Sequence, residues 1–128
     1  MKFNLETIII FVRNVEKLKD FYVGILELEI IEEIPSQWIL LQAGDCKIGL
    51  HQIGESYLSE SAQDFQVETN TKMVFEINED LANVRDTLIS KNVKMREIMV
   101  WENYPYILCD GEDTEGNVFQ LKQKIATM

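Results

Sequence analysis

One pattern occurs twice in this chain, about half a chain apart: a β-branched run, then an amide, then apolar residues at helical spacing. The first copy opens with Leu5-Glu6-Thr7-Ile8-Ile9-Ile10-Phe11-Val12, followed by Arg13-Asn14. The second opens with Lys72-Met73-Val74-Phe75-Glu76-Ile77, followed by Asn78. In the first, Val15, Leu18, Phe21, Tyr22 and Ile25 then recur along one helical stripe, with Gly24 marking an end nearby. In the second, Leu81, Val84, Leu88 and Ile89 do the same. Asn14 and Asn78 stand where a helix N-cap belongs, and Glu79 and Asp80 fall in the predicted first turn, where the helix dipole favours anions.

Three strand-like runs follow each helix: 28–34, 37–42 and 46–53, then 93–99, 104–110 and 117–123. Polar or glycine-containing turns separate most of them. The order is therefore βαβββ twice, with repeat 1 over 4–54, a polar, acidic linker over 55–70 and repeat 2 over 71–124. Tyr57, Leu58 and Phe65 are the linker's expected anchors. Each predicted sheet has one helix and so one covered face; the other must meet something. The expected fold is α+β, a single domain over 1–128 in which two βαβββ units form an open eight-stranded barrel around a concave ligand cavity. Period-2 alternation turns Ile8, Ile10, Val12, Met73, Phe75 and Ile77 toward the helices, and Thr7, Phe11, Lys72, Glu76 and Gln120 toward the cavity.

Composition narrows the function. The 128 residues carry 12 Lys+Arg against 22 Asp+Glu, a net charge of −10. Nucleic acids and anionic membranes need a basic footprint, so neither is an expected partner. A neutral or cationic small molecule is compatible. No apolar run is long enough for a spanning helix, and the first residues do not form a signal peptide, so a cytoplasmic location is expected. Cys46 and Cys109 lack CxxC spacing and read as reduced thiols. With one histidine, the chain cannot build a Cys/His zinc site of the usual kind, although carboxylates could bind a harder metal. No phosphate-binding loop, GxGxxG or nucleophile elbow occurs.

His51 is the one side chain whose ordinary pKa lies near neutrality, so it is a candidate general base, or a polar residue at the end of a strand. Lys72, Glu76, Gln120 and Lys122 share strand parity. They read as a proton-transfer set, an anchor for an anionic ligand group, or a charge network that pairs Lys72 with Glu76. Trp38 and Trp101, close to one repeat length apart, join Tyr104 and Tyr106 in an aromatic set suited to cations and planar molecules, or to ordinary packing. Met73, Met95 and Met99 read as core filler.

The stretch from Phe11 to Tyr22, with Ile25-Leu26-Glu27-Leu28-Glu29 after it, resembles the opening of vicinal oxygen chelate proteins, the glyoxalase/bleomycin-resistance/dioxygenase superfamily. Asp113-Thr114-Glu115-Gly116-Asn117-Val118-Phe119-Gln120-Leu121 resembles that family's closing turn and strand. Glu27 stands where the family usually has glycine, and Thr114 where it has proline. The resemblance implies a divalent-metal site at Thr7, Gly49 (with His51 two residues on), Lys72 and Gln120. Threonine, glycine and lysine are poor cation ligands there. The expectation is thus a metal-free, cofactor-free binding protein, an antibiotic-sequestering homodimer of the bleomycin-resistance type, with no catalytic residue assigned beyond the candidates His51 and Glu76. The alternative is an enzyme: a glyoxalase-like lyase or an extradiol-type dioxygenase with an atypical metal site, or a metal-free proton-transfer enzyme. The aromatic residues, Thr7, Phe11, His51, Lys72, Glu76 and Gln120 are the expected ligand contacts.

Overall fold

The computed structural model describes residues 1–54 and 71–125. The chain divides into two compact units, Met1–Phe65 and Gln66–Met128. The expected linker over 55–70, with Tyr57, Leu58 and Phe65, lies outside the described residues.

In the first unit, β1 (Thr7–Val12) leads into α1 (Val15–Lys19), which continues as a π-helical segment over Asp20–Ile25. Strands β2 (Glu29–Ile34), β3 (Trp38–Ala43) and β4 (Cys46–Gln52) complete a sheet of order β1-β4-β3-β2. β1 pairs with β4 in parallel, and the remaining pairs are antiparallel. The second unit repeats this plan with β5 (Met73–Ile77), α2 (Leu81–Ser90), β6 (Lys94–Val100), β7 (Tyr106–Glu112) and β8 (Val118–Lys124), in the order β5-β8-β7-β6. Both βαβββ units expected from the sequence are present.

Alternation decides which face each side chain occupies. Val12, Ile39, Leu41, Ile48 and Leu50 are buried together with Val15, Leu18 and Phe21 of the helical segment. Register puts Ile8 and Ile10 beside Ile48 and Leu50. In the second unit Met73, Cys109, Phe119 and Leu121 are buried with Leu81 and Leu88 of α2. Each such apolar side chain contributes about 1.5–3 kcal/mol when fully buried. The opposite parity is exposed: Ile9 is 48% and Phe11 65% accessible, and Val74 is 52%. Each unit thus has a helix-covered face and an open one.

Asn14 caps α1 as expected, its side-chain oxygen accepting the Lys17 N–H. Asn78 does not cap α2. That helix starts at Leu81, two residues later than the Asn78 cap implied, and Asp80 is the cap, accepting the Asn83 N–H at 3.2 Å. Asp80 and Glu79 therefore precede the first turn instead of lying in it. At the end of the π-helical segment Glu27 adopts φ 62°, the left-handed region that favours glycine. The closing turn is fixed by buried Asp113, whose carboxylate accepts the N–H groups of Glu115 and Asn117 and the Asn117 amide.

Two further corrections follow. Met99 is 46% exposed, because its parity in β6 matches the open-face residue Leu108, so it is no core filler. Trp38 and Trp101 are not equivalent: Trp38 lies within β3, whereas Trp101 follows β6 in the turn before β7, its carbonyl accepting the Tyr104 N–H.

Candidate functional site

The open face of the first sheet carries a row of three rings. Phe11 of β1 is in register with His51 of β4, which is in register with Trp38 of β3. The Phe11 and His51 ring centres are 5.2 Å apart, and those of Trp38 and His51 6.0 Å, edge to face. The next row is Ile9, Gly49 and Leu40. Gly49 lets the Trp38 indole lie down on that row: a Cβ there would meet Trp38 Cζ3 at 2.8 Å and Ile9 Cγ1 at 3.1 Å. The indole N–H donates to Glu32 Oε2 of β2 at 3.0 Å, which fixes the ring and sets a carboxylate at its edge. His51 is exposed, and its Nδ1 lies 2.9 Å from the Gln52 carbonyl oxygen. A carbonyl only accepts, so Nδ1 carries the proton and, in the neutral ring, Nε2 carries the lone pair.

The corresponding face of the second sheet is polar. Asp110 of β7 stands at its centre, in register with Gln120 of β8. Its Oδ2 lies 2.8 Å from Lys72 Nζ and 3.6 Å from Arg96 Nη1, and its Oδ1 accepts the Gln120 amide at 3.0 Å. Arg96 also reaches Glu112 at 3.5 Å. Burial pushes the Asp110 carboxyl up, but the bonds from Lys72 and Gln120 and the charges of Lys72 and Arg96 outweigh it, holding it below its ordinary value. Lys72 is therefore paired with Asp110, not with Glu76 as the spacing suggested. Glu76 is in register with Lys122, whose ammonium sits 4.1 Å over the Tyr106 ring. Tyr104 lies beside Tyr106, ring centres 5.5 Å apart. Trp101 is 53% exposed and makes no ring contact with Tyr104 or Tyr106. Within the second unit the anticipated aromatic set thus reduces to Tyr104 and Tyr106.

Sequence reasoning missed Asp110, Arg96 and Glu32, because each acquires its role only through strand pairing. It also missed Gln52 and Gln123, one on the last strand of each unit. Gln52 Oε1 accepts the Val15 N–H at 2.9 Å and Gln123 Oε1 accepts the Leu81 N–H at 2.7 Å. Each binds the first residue of the helix beside it, where backbone donors lack intrahelical partners.

No protein-family model matches the sequence, and no curated protein matches it. Solved structures do match the fold. A fosfomycin resistance protein from Listeria monocytogenes superposes with a TM-score of 0.75 at 16% identity, covering 100% of this chain and 97% of its own. A lactoylglutathione lyase from Agrobacterium tumefaciens gives 0.73 at 13%, covering 94% and 92%. An antibiotic binding protein from a Streptomyces species gives 0.71 at 17%, covering 96% and 97%.

The fold is that of the vicinal oxygen chelate proteins. The residues at the four positions the vicinal oxygen chelate resemblance assigns to a metal do not fit one. Gly49 offers no side chain. The Lys72 ammonium has no lone pair and is held by Asp110. Gln120 donates its amide to the same carboxylate, and the Thr7 hydroxyl donates to Glu6 at 2.7 Å. Among the described residues no cluster of three His, Cys, Asp or Glu side chains could hold a metal ion.

Proposed function

We propose that this protein binds a small aromatic, cationic molecule without a metal or other cofactor, in the manner of an antibiotic-sequestering protein. The observation that carries the reading is the row Phe11–His51–Trp38, with the indole laid over Gly49 and Glu32 at its edge. Ring faces attract cations by about 0.5–2 kcal/mol, and apolar contact with Ile9 and Leu40 supplies the larger share of affinity. The net charge of −10 favours a cationic ligand, and structures of the same fold include an antibiotic binding protein and a fosfomycin resistance protein.

The reading extends to assembly. The exposed apolar residues of both open faces, Ile9, Phe11, Val74 and Met99, favour closure of the two sheets into one open eight-stranded barrel and pairing of two chains as a homodimer. Free cysteines at Cys46 and Cys109 suit a cytoplasmic location, and no helix among the described residues is long and apolar enough to cross a membrane. Thr7, Lys72, Glu76, Trp101, Tyr104, Tyr106 and Gln120 belong to the proposal as further ligand contacts.

Titration of Trp fluorescence with bleomycin-type and planar cationic drugs tests it, alongside Trp38→Phe and Trp101→Phe. Quenching that is lost in Trp38→Phe is expected. Indifference of both tryptophans to every such compound at high micromolar concentration would overturn it. The second reading is an enzyme, either a glyoxalase-like lyase or extradiol-type dioxygenase, or a metal-free enzyme in which His51 Nε2 takes a substrate proton. The free Nε2 lone pair favours the proton-transfer form, and catalytic turnover of a substrate by metal-free protein would establish it.

A further inference from the structure

Resting on the aromatic-site reading above, the geometry points to His51 Nε2 as the hydrogen-bond acceptor that selects the ligand, which we infer to be a planar cation bearing N–H donors. Three observations converge on it. The Nδ1–H is committed to the Gln52 carbonyl, so the neutral ring is locked as the tautomer whose lone pair is on Nε2. Among the described residues nothing bonds to Nε2, and His51 is exposed on the open face. The ring lies between Phe11 and Trp38, so a planar molecule stacked against the indole brings its edge to the imidazole.

The other polar groups around this row are a carboxylate that already holds the indole and an amide that is spent on the backbone. Glu32 accepts from the indole N–H, and the Gln52 side chain is spent on Val15 N–H and the Arg13 carbonyl. Phe11, Ile9, Leu40 and Gly49 have no polar side-chain atom. The row therefore presents one unspent nitrogen acceptor in an apolar and aromatic setting. A donor on the ligand finds its partner there, and a ligand without one leaves that acceptor desolvated and unpaired. Glu32, one strand beyond Trp38, favours positive charge on the same molecule, and His51 Nε2 is the neutral acceptor that the ring row itself supplies.

Thionin and methylene blue test this directly. Both are planar tricyclic cations; thionin carries free amino groups, and the corresponding nitrogens of methylene blue are fully methylated. Binding of each is measured calorimetrically in the dark to the intact chain and to His51→Phe, His51→Gln and Trp38→Leu. The expected result is about tenfold tighter binding of thionin by the native chain, the value of one hydrogen bond. His51→Phe should abolish that preference while still binding methylene blue, and His51→Gln, which retains an acceptor, should keep part of it. An equal thionin preference in the native chain and His51→Phe, or none in either, overturns the role of His51 and leaves the aromatic site standing. Failure of both dyes to bind, or binding unaffected by Trp38→Leu, overturns the site itself and this proposal with it.

Discussion

Gln52 and Gln123 make the same contact in the two halves of the chain: each offers its side-chain oxygen to the first N–H of a helix, Val15 at 2.9 Å and Leu81 at 2.7 Å. The last strand of each sheet thereby locks the helix that follows the first strand. Replacing Gln123 by alanine strands a donor in a part-buried place and should cost about 1 kcal/mol. Gln52→Ala should cost more, because its amide also donates to the Arg13 carbonyl. Urea unfolding of both variants measures the difference, and equal or negligible losses would contradict it.

Asp110→Asn should lower stability at neutral pH by about 1 kcal/mol, a modest figure because its partner Lys72 is 41% exposed. The native carboxyl titrates below its ordinary value, so its contribution is complete above the unfolded carboxylate's pKa and is lost as pH falls through the lower native one. The gap between native and variant should therefore close in acid and stay open at neutrality. Denaturation midpoints across that range check the sign.

Gly49→Ala should displace the Trp38 indole and break its bond to Glu32, at a cost of about 1–2 kcal/mol. In a Trp38→Leu background the same methyl should cost far less. A double-mutant cycle reads the coupling, and additive costs would show that the indole does not rest on this residue.

Glu27→Gly should stabilise the protein by about 0.5–1 kcal/mol, since φ 62° strains a side chain and not a glycine. An unchanged or lower thermal midpoint would mean that the Glu27 side chain compensates for its backbone.

Protein purified without chelator should carry far less than one divalent ion per chain. The donors at Thr7, Gly49, Lys72 and Gln120 do not fit a metal, and elemental analysis measures the content directly. Stoichiometric nickel, zinc, iron or manganese would return the lyase and dioxygenase readings to the front.

Strands and helices were legible because their signals are local. β-branched runs and period-2 alternation located β1 and β5 to within two residues and assigned Phe11 to the open side. The Asn14 cap was legible for the same reason. The second cap was not, because Asn78 and Asp80 are equally good capping types and only the start of α2 chooses between them. The site was legible in part. Trp38 and His51 stood out by type, but their meeting depends on the β3–β4 register, and Glu32 enters only past a bulge in the β2–β3 pairing. Lys72 finding Asp110 instead of Glu76 has the same origin: β8 lies between β5 and β7, and no spacing along the chain reveals which side chains face each other across three strands.

The parallel pairing of β1 with β4 also governs how the chain is made. Thr7 has no strand partner until Lys47 has been synthesised, because β1 is an edge strand bonded to β4 alone. The β2–β3 hairpin can zip up early, whereas β1 waits for a closure of high sequence separation. Once Gln52 is free to pair, the first sheet has every strand it needs and its helix lock as well, without waiting for β8, which the second sheet needs. The topology thus allows two rounds of closure, each completed by the last strand of its own sheet.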